Sequence, residues 1–125
     1  MIYLAHDVNK LNVYDFEKME LILKEPLKLE QPGKCTRWID CRYDGNLLAS
    51  AGWDGTTKIY DHRVGNIIKV IEGNDYVYCV RWSLDGEYLA TANADGNAYH
   101  TSFSTGKHIG FSSQPNLTPS SVCYA

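Results

Sequence analysis

The chain has 125 residues, 44% hydrophobic and 22% charged, with a formal net charge of -3. That is enough apolar material for one sizeable core and too much for disorder. The charge gives no global attraction to nucleic acid or an acidic membrane, and no apolar run reaches the ~18–20 residues of a membrane span. Strands are expected in chain order near 1–5, 11–15, 19–24, 35–41, 46–51, 56–61, 66–71, 76–82, 87–92, 97–102 and 107–112. The segments 35–41 and 76–82 alternate and are rich in aromatic and β-branched residues. Asp-Gly pairs at 44–45, 54–55, 85–86 and 95–96 punctuate the strands, since glycine accepts the positive φ of a hairpin turn. No helix is expected, because the charged stretch from Glu17 to Glu30 carries Pro26 and the strand-like Leu21-Ile22-Leu23.

The chain repeats itself at an offset of 41 residues. Between Asp44 and Gly55, seven of twelve positions match their counterparts between Asp85 and Gly96, and Gly65 matches Gly106. Each copy reads as four short antiparallel strands.

The run from Leu47 to Asp61, with Gly52-Trp53-Asp54-Gly55 at its centre, closely resembles the core of a WD40 repeat. So does Val80 to Thr91. A period of ~40–45 residues with four strands per blade suits that family. The resemblance implies an all-β fold of four-stranded antiparallel blades, forming part of a β-propeller. A partial blade is expected over 1–30, full blades over 33–72 and 73–112, and a loop with the possible start of a further strand over 113–125. Leu11-Asn12-Val13-Tyr14-Asp15 resembles Thr57-Lys58-Ile59-Tyr60-Asp61, and Ser121 to Ala125 looks like a first strand. Propellers close with 4–8 blades. About three blades imply an incomplete ring, completed by a longer native chain or by self-association; one arrangement pairs two copies into six blades.

The family staples its blades with a hydrogen-bonded His, Ser/Thr, turn Asp and Trp. The resemblance places Ser50, Asp54 and Tyr60 in these roles in one repeat, with Gly33 where the His belongs. In the next it places Asn74, Thr91 and Asp95, with Thr101 at the aromatic position. Both tetrads are therefore expected to be incomplete. Family partners dock where the first strand starts and just before the turn Asp. This maps to Cys35, Arg37 and Trp53, and to Tyr76, Tyr78 and Ala94. Trp, Tyr and Arg dominate interface hot spots, so Arg37, Trp53, Tyr76 and Tyr78 are the expected partner-binding residues. Trp82 reads as core.

The function implied is a non-catalytic protein–protein interaction scaffold, with other proteins as partners and no cofactor. A narrower version rests on Tyr60-Asp61-His62-Arg63, which resembles the box of cullin-RING ubiquitin-ligase substrate receptors; Tyr60, Asp61 and Arg63 would contact the adaptor. A propeller enzyme is the alternative of a different class. It would need acids, histidines or metal ligands on the innermost strands, where small residues such as Ala49, Ala51, Ala90 and Ala92 are expected instead.

Other motifs fail on inspection. Gly106-Lys107 is followed by His108 rather than Ser or Thr, and Thr101 stands where a P-loop needs its first glycine. The Asp-Gly turns lack the alternating carboxylates of a calcium loop. His6, His62, His100 and His108 share no metal-binding spacing. Cys35, Cys41, Cys79 and Cys123 form no CxxC pair and read as free thiols of a reducing compartment. With an N-terminus too polar for a signal peptide, the expected location is cytoplasmic or nuclear, and the sequon Asn116-Leu117-Thr118 is expected to be silent. Lys34, Arg37 and Arg42 form the nearest thing to a basic cluster, which reads as a solvated face with local RNA contact as the minor alternative. The tail Ser112 to Ser120 has linker composition.

Overall fold

The computed structural model describes the backbone of residues 2–6, 10–15, 20–21, 27–28, 36–73 and 75–113, and the side chains of 37–73 and 75–110. Among these residues the chain is all-β, in three four-stranded antiparallel sheets. The first holds β1 (Ile2–His6), β2 (Lys10–Asp15), β3 (Glu20–Leu21) and β4 (Leu27–Lys28). The second runs through β5 (Thr36–Cys41), β6 (Leu47–Gly52), β7 (Thr56–Asp61) and β8 (Asn66–Glu72), adjacent in that order. The third repeats that meander with β9 (Val77–Trp82), β10 (Tyr88–Asn93), β11 (Asn97–Ser102) and β12 (His108–Ser113).

The second and third sheets agree with the expected strands to within a residue or so. In the first, the expected strand over 19–24 is described only at Glu20–Leu21, where Tyr14 pairs with Leu21. The other end of β2 is taken by Leu27–Lys28, an element the sequence pattern did not suggest. Gly33, Cys35, Asn74 and the strand expected at 121–125 lie outside the residues whose side chains or backbone are described.

Turn chemistry explains the repeat. Gly55 and Gly96 follow the turn aspartates with φ of 84° and 90°, where a side chain would be strained. Strand alternation then sorts the residues. Odd-numbered positions of β6 (Leu47, Ala49, Ala51) share a face with Ile59 and Ile71, and this face meets Val77, Val80, Trp82 and Leu89 of the third sheet. Trp38 and Phe103 pack against the same core. Every residue of β6 is buried, so both faces of this central strand are covered.

The alanines correct one expectation. Ala49, Ala51 and Ala92 are 0% exposed and Ala90 is 7% exposed. They lie on β6 and β10, the second strands of their sheets, and Ala49 and Ala51 are part of the inter-sheet core rather than a channel wall. Ala49 and Ala51 share that core with Val77, Val80 and Trp82 of β9.

Polar contacts lock the same joint. The Asp40 carboxylate accepts the Trp82 backbone N–H at 2.8 Å, and the Asp40 carbonyl accepts the Trp82 indole N–H at 3.2 Å. Arg42 lies over the Trp82 ring, whose edge also meets Phe103. Lys69 of β8 reaches across to the carbonyls of Phe103 and Ser104. His108 bridges the Thr101 hydroxyl and the Glu72 carbonyl, with its ring against Tyr99. His108 is thus a structural pin, and His100 stacks on Tyr88.

Candidate partner-docking site

The site grows from the two turns that follow β6 and β10. After Gly52 the chain must reverse to start β7, and the Asp54 carboxylate accepts the Thr56 backbone N–H at 3.0 Å and the Thr56 hydroxyl at 2.7 Å. Its other oxygen takes the Lys58 ammonium. Burial pushes the Asp54 carboxyl up, but the Lys58 and Thr56 bonds outweigh it and hold the group below its ordinary value. In the third sheet Asp95 accepts the Asn97 backbone N–H at 2.9 Å, the Asn97 amide and the Tyr99 hydroxyl at 2.7 Å.

Among the described members of the expected tetrads, the turn aspartates take other partners than the family pattern implies. Asp54 is satisfied by Thr56 and Lys58, not by Ser50. The Ser50 hydroxyl is 2% exposed as a residue and finds no hydrogen-bond partner among the described residues. Tyr60 is buried at 1% exposure. In the other repeat Tyr99, not position 101, supplies the aromatic hydroxyl; Thr101 is spent on His108. Thr91 is buried in β10. The physical reason is reach. Side chains two and four residues after the Asp project from the same face of the next strand and lie beside the carboxylate. The spacings Asp54-x-Thr56-x-Lys58 and Asp95-x-Asn97-x-Tyr99 carried that signal.

The Asp54 turn is sealed by the loop that opens the next repeat. The Gly73 N–H donates to the Gly55 carbonyl at 2.7 Å, and a Cβ on Gly73 would come within 2.8 Å of that oxygen. Trp53, just before the Asp, then stacks on Tyr76 with ring centroids 5.7 Å apart and an interplanar angle of 16°. Trp53 remains 38% exposed and Tyr76 42% exposed. The Tyr76 carbonyl accepts the Ala94 N–H at 2.8 Å, which brings the Asp95 turn alongside.

The four expected docking residues divide accordingly. Trp53 and Tyr76 are brought into direct contact across two sheets. Arg37 is exposed at an irregularity of β5, between Thr36, which pairs with Gly52, and Trp38, which pairs with Ala51. It therefore flanks Gly52 and the start of the Trp53 turn. Tyr78 is only half-buried on β9. Asp75 is exposed beside the stack, its carboxylate accepting the Tyr76 N–H at 2.7 Å; the sequence reading overlooked it, though its position next to Tyr76 was visible.

Residues of the adaptor box are arranged differently. The Asp61 carboxylate accepts the Arg63 backbone N–H and both Nε and Nη2 of its guanidinium, at 2.9–3.0 Å. These Arg63 bonds hold the Asp61 carboxyl below its usual range. Asp61 is buried, whereas the Arg63 side chain that it holds is 53% exposed. Burial, with the Asp61 charge, raises the Tyr60 phenol. Burial likewise raises the Cys41 thiol, reinforced by Asp40 and Asp44, which disfavours the reactive thiolate. Among the described residues no group of three His, Cys, Asp or Glu side chains could hold a metal, and no helix is long and apolar enough to cross a membrane.

Comparison with known proteins gives the same frame. The chain is similar to WD repeat-containing protein AAC3 of Dictyostelium discoideum, 38% identical over 52 residues, covering 42% of this chain and 11% of that protein. It is also similar to WD repeat-containing protein 1 of Xenopus tropicalis, 36% identical over 70 residues, covering 50% of this chain and 12% of that protein. The matched region thus spans about an eighth or less of each of these relatives. Residues 32–61 and 65–100, just over half of the chain, match the family model described as WD domain, G-beta repeat. With two successive four-stranded antiparallel sheets repeating at the same spacing, the chain belongs to the WD40-repeat family.

Proposed function

We propose that this chain is a non-catalytic scaffold segment that binds other proteins along the rim formed by the turns before Asp54 and Asp95. The family is one of protein-interaction modules and is generally non-enzymatic. The observation that carries the reading is the Trp53–Tyr76 stack. Two large aromatic side chains from different sheets are held face to face and still remain about two-fifths exposed. A pre-ordered aromatic pair loses little conformational entropy when a partner covers it, and such side chains contribute most to protein interfaces. Arg37 extends the surface on the side of β5.

The test is affinity capture from cell extract with wild type, Trp53→Ala and Tyr76→Ala, each first shown to be folded by its strand circular dichroism. Loss of the same captured proteins in both variants is expected. Equal capture by all three would overturn the rim assignment.

A further inference from the structure

Resting on that rim reading, we infer that the Trp53–Tyr76 stack accepts a cationic side chain, Lys or Arg, from an extended segment of the partner, with its charge directed toward Asp75 and Asp95. The charges around the stack are unevenly placed. Asp75 adjoins Tyr76 in the chain, and Asp95 follows Ala94, whose N–H bonds the Tyr76 carbonyl. Both are exposed. The Asp75 carboxylate takes the Tyr76 N–H, and Asp95 takes neutral donors from Asn97 and Tyr99. Among the described ion pairs, no cation is set against either of them. Asp54, by contrast, is already neutralised by Lys58.

The Tyr76 end of the stack is therefore negative, and the cation Arg37 flanks the opposite end near Gly52. Aromatic faces attract cations through the ring quadrupole, indole most strongly. Nearby carboxylates add to that attraction, and they repel an acidic side chain. A basic residue over the rings thus has its charge compensated from one side only, which also orients the bound segment. Arg37 is left to meet a carbonyl or carboxylate of the same segment.

The experiment uses the full chain and three blocked peptides, Gly-Arg-Gly-Gly, Gly-Lys-Gly-Gly and Gly-Glu-Gly-Gly. The readout is the indole N–H resonance of Trp53, assigned by its loss in Trp53→Phe. The Arg and Lys peptides should shift it with saturation, and the Glu peptide should not. Asp75→Asn keeps the oxygen that accepts the Tyr76 N–H and removes only the charge. It should weaken Arg-peptide binding roughly three- to tenfold, whereas Asp44→Asn, which removes the same charge elsewhere, should leave it unchanged. Saturable binding of the Glu peptide, or identical affinities in wild type and Asp75→Asn, would overturn the cation assignment. Absence of any shift with the basic peptides would also overturn it. None of these results changes the capture experiment, so a rim that binds partners without preferring cations is distinguishable from a rim that binds nothing.

Discussion

The turns around Asp54 and Asp95 solve one problem with different chemistry. Both carboxylates take the backbone N–H two residues on, a side chain at the same position, and a second side chain four residues on. At Asp54 that last partner is the Lys58 ammonium; at Asp95 it is the Tyr99 hydroxyl. Asp54 therefore sits in a charged, half-buried network, with both side chains of the ion pair 15% exposed, whereas Asp95 has only neutral donors. Gly73 and the Trp53–Tyr76 stack also cover the Asp54 turn. Equal backbone geometry thus does not mean equal energetic weight, because the donors set how much is lost when the acceptor goes.

The strongest way to break the comparison is Gly73→Ala. Its Cβ would meet the Gly55 carbonyl at 2.8 Å, where backbone rather than a flexible side chain must yield. The strain and the weakened hydrogen bond together should cost about 2–3 kcal/mol, seen as a lower urea midpoint with a change in Trp fluorescence as the stack loosens. A loss under about 0.5 kcal/mol would show that the loop does not hold the turn.

Asp54→Ala should follow at about 2 kcal/mol, since it strands the Lys58 ammonium and two Thr56 donors at once. Adding Lys58→Met should restore roughly 1 kcal/mol by removing the orphaned charge. If the double variant is no more stable than the single one, Lys58 is not what distinguishes the two turns.

Asp95→Ala should cost only about 1 kcal/mol, because its donors are neutral and Asp95 itself is exposed. A urea midpoint at or below that of Asp54→Ala would reverse the ranking of the two turns.

The smallest effect belongs to Asp44, paired at the surface with Arg42. Hydrogen bonds from Arg42 and the Asn46 backbone hold its carboxyl down, to about 2. A folded pKa below the unfolded one means stability that is present above the unfolded value, about 3.9, and lost as pH falls toward the folded one. The stability difference between wild type and Asp44→Asn should therefore shrink between about pH 4 and pH 2 and stay flat from pH 5 to 8. A difference that grows on acidification would contradict the ion pair.

Much of this architecture is legible in the sequence. The 41-residue offset, the Asp-Gly turns and the period-2 runs define eight strands of the second and third sheets, because turn residues and alternation act locally. Trp53 also stood out, since a Trp between Gly52 and the turn residue Asp54 sits where a core role is less natural. The tetrad expectation placed Ser50 and Tyr60 beside Asp54 by family pattern, while the short-range Asp-x-Thr-x-Lys spacing in this chain supplied nearer donors.

What the sequence alone determined was local: where strands start and stop, which residues of each face inward, and that the turns carry carboxylates. Only the tertiary structure decided which turn is stapled to its neighbour and which aromatic pair forms. Trp53 and Tyr76 are 23 positions apart, and Asp40 and Trp82 are 42 apart. Such contacts depend on how one sheet seats on another, and that seating is set by the volumes of Ala49, Ala51, Trp82 and Leu89 in their shared core. Packing of this kind is a property of the assembled surfaces, and no single segment of the chain encodes it.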